Sequence, residues 1–156
     1  MSMLSVTRAI AAAAVLLASA ISAQAFAIQE VKSPGGITAW LVKEKAVPLI
    51  AMNFSFKGGS VYDPQGKEGV SEFLTGMLDE GAGDLSSKEF QQQRDALAFR
   101  MSFESGRDFF EGSFQTLTRN RAKSFELLKL AINAPRFDAE PLERVRQQFI
   151  LSIQNE

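Results

Sequence analysis

Twice along this chain, a pair of β-branched and aromatic stretches is followed by two stretches whose apolar residues recur at three- and four-residue spacing. Branched or alternating runs favour strands, whereas the three-and-four spacing gathers apolar side chains on one face of a helix. The first strand pair is 37–42 and 47–56, parted by Lys43-Glu44-Lys45 and read as a hairpin; Gly58-Gly59 and Asp63-Pro64 then break the strand. From Gly69 onward Val70, Phe73, Leu74, Met77 and Leu78 share a helical face, with a stop near Gly81. Ser86 or Ser87, ahead of Lys88-Glu89, announces a second helix with Phe90, Leu97 and Ala96 turned inward.

The second round repeats the order. Residues 99–104 and 108–116 alternate as antiparallel partners around a Ser105-Gly106 turn. Residues 119–133 carry helical spacing through Ala122, Phe125, Leu127, Leu128, Leu130 and Ile132, closed by Pro135. Asp138 is placed to cap a last helix, with Pro141 in its first turn and Val145, Phe149, Ile150 and Ile153 on its apolar face. The order ββαα, taken twice, predicts an α+β fold of two layers, a mostly antiparallel sheet with helices packed on one face. No stop signal follows Ile153, so a fraying terminal helix and a truncated reading frame both fit the C-terminus.

Composition narrows the chemistry. The 156 residues, 46% of them hydrophobic, suffice for one packed domain over 28–156, and they include no His and no Cys. That removes imidazole and thiolate ligands, the Ser/His and Cys/His nucleophile pairs, and any disulfide. Seventeen Lys and Arg against eighteen Asp and Glu, scattered along the chain, give no basic stripe for nucleic acid.

The first 27 residues read as a signal peptide. Arg8 gives a positive start, 9–21 is an apolar run broken only by Ser19, and small residues follow at Ala25-Phe26-Ala27 and Ala23-Gln24-Ala25. Cleavage before Ile28 is favoured over cleavage before Phe26. The run is shorter than the roughly 20 residues of a spanning helix, so a periplasmic or secreted product with no membrane span is expected after cleavage.

The stretch Phe56-Lys57-Gly58-Gly59-Ser60-Val61-Tyr62-Asp63-Pro64, followed by Gly69-Val70-Ser71-Glu72-Phe73-Leu74-Thr75-Gly76-Met77-Leu78, resembles the opening of the insulinase, pitrilysin and mitochondrial-processing-peptidase family. The likeness continues through the Ser-Lys-Glu helix start, the strands around Phe109-Phe110-Glu111, the helix ending at Pro135 and the basic helix through Arg144-Val145-Arg146. It implies a metallopeptidase N-terminal-domain-like fold. Active members carry an inverted His-x-x-Glu-His zinc motif, two ligands one helical turn apart with a general base between them. On this frame those positions hold Glu72, Thr75 and Gly76, and a third ligand position falls within Leu151-Ser152-Ile153.

The resemblance therefore implies a non-catalytic member without zinc or other cofactor. It also implies pairing with an active zinc-containing sister subunit, or with a missing C-terminal domain of its own, around a peptide substrate. A sheet edge could accept that peptide by strand addition. Two other readings stay open, an inactive fragment of a longer member and a metal-independent enzyme using Glu72, Asp79 and Glu80. Gly58-Gly59-Ser60 reads as a turn in preference to an anion nest, and Asp79-Glu80 with Asp84 as a solvated acidic helix end in preference to a cation cluster.

Overall fold

A computed structural model describes residues 27–155, so the expected targeting segment lies outside the described residues except for Ala27. The chain divides into two compact units, Met1–Ala46 and Val47–Glu156. In the first, β1 (Ile28–Lys32) and β2 (Thr38–Val42) form an antiparallel hairpin with Ile28 opposite Val42 and Lys32 opposite Thr38. Its turn is tied by Ser33, whose hydroxyl and carbonyl accept from the amides of Ile37 and Gly36. This corrects the hairpin expected across Lys43-Glu44-Lys45, since the partner of β2 is the preceding strand. With Glu30, Lys32 and Gln29 interleaved among its few apolar residues, β1 is too short to show clear alternation.

The second unit is built on a three-stranded antiparallel sheet of β3 (Leu49–Lys57), β4 (Arg100–Ser105) and β5 (Phe109–Leu117), in the order β3-β5-β4. Period-two alternation sends Ile50, Met52 and Phe54 of β3, Met101 and Phe103 of β4, and Phe110, Phe114 and Thr116 of β5 to one face. At Gly112 the missing side chain makes room for the Phe54 ring, which occupies the place a Cβ would take. Four helices accompany the sheet, α1 (Val70–Thr75), α2 (Ser87–Ala96), α3 (Arg121–Asn133) and α4 (Ala139–Gln154). The fold is α+β with antiparallel sheets, as expected.

The core joins Ala82, Phe90, Phe99, Phe114, Leu127, Leu128 and Ala131. Phe114 stacks between Phe99 and Phe125, with ring centroids 5.1 and 4.5 Å away. Burying such a ring stabilises the fold by about 1.5–3 kcal/mol. The buried hydroxyls of Thr116 and Ser124 satisfy each other at 2.7 Å, tying β5 to α3 without an orphaned polar atom.

Helix limits depart from expectation where local hydrogen bonds decide them. The first helix ends at Thr75, and residues 76–80 continue in turns, with Met77 donating to the Leu74 carbonyl and Glu80 to that of Met77. Ala96 and Ala122 are exposed, and Phe125, although it touches Phe114, remains 37% accessible. Ser86 closes a capping box with Glu89, lowering that carboxyl's pKa through bonds from the Ser86 hydroxyl and amide. Asp138 occupies the cap position of α4, but its carboxylate is held by Arg136 instead of the helix amides.

The far end of α2 is a Schellman closure, in which the amides of Phe99 and Ala98 reach back to the carbonyls of Arg94 and Asp95. Ala98 takes the left-handed conformation this demands, φ 47°, usually supplied by glycine. Ala98→Gly is expected to stabilise the protein by about 1 kcal/mol, measured as a higher urea midpoint at unchanged m-value.

Candidate functional site

Asp63 sets the start of α1 from outside the helix. Its two carboxylate oxygens accept from the amides of Gly69 at 2.8 Å and Ser71 at 2.9 Å, donors that a helix N-terminus leaves free. Desolvation works against the ionised form, but these amides outweigh it and hold the carboxyl below its usual range. The Asp-Pro turn thus fixes where the helix begins. Upstream, the amides of Gly58, Ser60 and Val61 donate to the carbonyls of Asp108, Gly106 and Arg107 at the tip of the β4–β5 hairpin. They are spent on that turn, leaving no anion nest. Gly59 is required there, because a Cβ would lie 2.2 Å from the Gly106 carbonyl oxygen.

Glu72, Thr75 and Gly76, on which the family resemblance places the zinc motif, lie in and just beyond this short helix. Glu72 is exposed, and the Thr75 hydroxyl donates to its carbonyl at 2.7 Å. Gly76 faces α4, and a Cβ there would stand 2.9 Å from Cγ1 of Val145 and 3.1 Å from the Phe149 ring. Phe149 also packs on Phe73, ring centroids 5.7 Å apart. Hydrocarbon therefore fills the space beside the position. Of the third-ligand stretch, Leu151 and Ile153 are exposed on the last turns of α4, and the Ser152 hydroxyl donates to the Phe149 carbonyl.

These residues do not fit a zinc ion. One exposed carboxylate, a hydroxyl bonded to backbone and a glycine under an apolar cover supply too few donors. Among the described residues no three acidic side chains converge.

The acids following Gly76 are committed elsewhere. Asp79 pairs with Arg94 of α2 at 2.6 Å. Glu80 is 8% exposed, accepts from the Ser87 hydroxyl at 2.6 Å, and is paired with Arg144 of α4. The bond to Glu80 is the main reason the Arg144 pKa is raised. This corrects the expected solvated helix end at Asp79 and Glu80, while Asp84 is exposed as expected, and it leaves neither paired acid free to work with Glu72 as a general acid or base. The partners of the Glu80 pair are 64 residues apart, a separation that no local pattern signals. α1 itself lies beside β4, which among the described residues is the last strand of this sheet.

A family model described as insulinase (peptidase family M16) matches residues 41–155. The chain belongs to the insulinase family. Among solved structures it is similar to the peptidase M16 inactive domain from Pseudomonas fluorescens, with a TM-score of 0.74 and 21% identity over 83% of this chain. It is also similar to a protease from Helicobacter pylori, with a TM-score of 0.63 and 20% identity over 79% of this chain. At such identities the likeness is one of fold. This insulinase-family chain spans 32% and 30% of those two chains. None of the curated proteins matches it in sequence.

Two outcomes follow from this geometry. Gly76→His should lower stability by about 1–3 kcal/mol through overpacking against Val145 and Phe149. Part of the loss should return in a Val145→Ala background, and calorimetry on the single and double variants reads both. Asp63 has a folded-state pKa below its unfolded value, so its contribution is complete above about pH 4 and fades as pH falls through the folded value. Asp63→Asn should therefore lower the melting temperature at pH 7, and the gap from the parent protein should close on acidification toward pH 2, as thermal melts across that range would record.

Proposed function

We propose that this chain is a non-catalytic domain of an exported insulinase-family peptidase assembly, helping to hold a peptide while a zinc-bearing partner cuts it. The observation that carries this reading is the apolar cover over Gly76: where active members need ligands and a water-activating base, this chain has Val145 and Phe149 against a glycine. The likeness to a domain described as inactive supports it. The open edge of β4 beside α1 supplies backbone donors and acceptors to an extended peptide, a mode of binding that requires no catalytic group.

The partner is a sister subunit or a further domain of the same family, carrying an intact His-x-x-Glu-His motif. Among the described residues no helix is long and apolar enough to cross a membrane. The targeting segment read over 1–27 directs the chain to the periplasm or medium, with a mature N-terminus at Ile28.

Purified alone, the protein should hold less than a tenth of an equivalent of zinc, on the order of background for a set this poor in donors, and should cleave no peptide. Co-expressed with a zinc-bearing family member encoded beside it, it should co-purify, and peptidase activity should depend on the partner's histidines and drop when this chain is left out. Stoichiometric zinc lost on Glu72→Ala, or a partner equally active alone, would overturn the proposal.

A further inference from the structure

The exposed edge of the sheet carries a pattern of side chains that can select among peptides. Along β4, Arg100, Ser102 and Glu104 are exposed on one face, while Met101 and Phe103 are half-buried on the other. Phe103 belongs to an aromatic row, its ring centroid 6.4 Å from that of Phe54 and 6.1 Å from that of Phe110. Arg100 borders a hollow of about 550 Å³ with Arg94, Asp95, Ala98, Phe99 and Met101. Neither Arg100 nor Glu104 has an ion-pair partner among the described residues.

A peptide strand added antiparallel to β4 would put its side chains directly opposite these, Cβ to Cβ at about 4.5–5.5 Å, with alternate residues on the two faces. Resting on the strand-addition reading above, we infer that β4 selects extended peptides of the pattern basic, apolar, any, apolar, acidic, read from N- to C-terminus. The basic residue stands opposite Glu104 and the acidic one opposite Arg100. The two apolar residues lie opposite Phe103 and Met101 and continue the inner, apolar face of the sheet, while the middle residue meets Ser102. Antiparallel addition continues the sense of every pair in this sheet and is the more stable pairing per residue. The opposite edge, on β3, has no such pair of signs: of its outward residues Leu49, Ala51, Asn53, Ser55 and Lys57, one alone is charged. Charged residues also discourage edge-to-edge aggregation, a role that requires no particular peptide order.

The test uses the full chain and three kinds of fluorescein-labelled, end-capped peptide in polarisation titrations. Gly-Ser-Lys-Val-Thr-Val-Glu-Ser-Gly should bind about tenfold more tightly at low salt than the same peptide with Lys and Glu exchanged, since two exposed pairs turn from attraction to repulsion. The gap should narrow at 0.5 M salt, and the preference should invert for the protein variant Arg100→Glu/Glu104→Arg. Replacing both Val by Ser should weaken binding at least fivefold. Two further peptides, N-methylated at one or the other set of alternate residues, separate the pattern from the binding mode. If neither methylation weakens binding, or no peptide binds, strand addition on β4 is wrong and this inference goes with it. If one methylated peptide fails but the exchanged peptide binds as well as the first, the edge reading stands and the proposed selectivity is wrong.

Discussion

The seating of α4 on the segment 76–80 is the contact on which the rest of the second unit depends. Two residues four apart make it in opposite ways. Gly76 contributes no side chain, so Val145 and Phe149 can close on its backbone. Glu80 contributes a nearly buried carboxylate, held between Arg144 on α4 and Ser87 at the start of α2. The first contact is favourable because apolar surface leaves water, and the second because a charge taken from water has found both an ion partner and a hydroxyl. Together they fix the place of α4 beside α1 and tie it to the beginning of α2. They also set hydrocarbon beside Gly76, where a metal site would need polar donors.

With that side closed, what the domain leaves open is the sheet. Its inner face is covered by the Phe90, Phe99, Phe114 and Leu127 cluster. Its outer face, with Asn53, Ser102, Ser113 and Gln115, stays polar. Among the described residues the long central strand β5 is paired on both sides, and β3 and β4 end the sheet. β4 lies next to α1, where Asp63 fixes the helix start and the Gly58-Gly59-Ser60 turn is bonded to the tip of the β4–β5 hairpin. This insulinase-family scaffold thus ends its sheet at β4, beside a short helix turned into packing.

Much of this was legible in the sequence because it rests on periodicities that local chemistry enforces. Alternation marked β4 and β5 to within a residue or two, and Ser86 or Ser87 ahead of Lys88-Glu89 announced the start of α2. The frame around Gly58-Gly59 and Asp63-Pro64 pointed to the insulinase family, to which the chain belongs. Positions were less secure where neighbours in space, not in sequence, decide. Val70 to Leu78 have the spacing of one helix, yet the helix stops at Thr75, and Met77 and Leu78 reach the core from turns. Their burial was legible and their backbone was not, because helical and turn conformations there can present the same residues inward.

The sequence by itself determined which residues are apolar and at what period, hence the α+β class and the family, and it removed imidazole and thiolate chemistry outright by containing neither His nor Cys. Only the tertiary structure decided which strands pair, putting β2 with β1 and β3 with β5, since strand pairing depends on register between distant segments that alternation alone does not specify. It likewise decided what becomes of Asp79 and Glu80. An acidic dipeptide reads as solvent-facing until Arg94 and Arg144, 15 and 64 residues further along, are folded against it. A charge's partner is set by distance in space, which a linear sequence does not record.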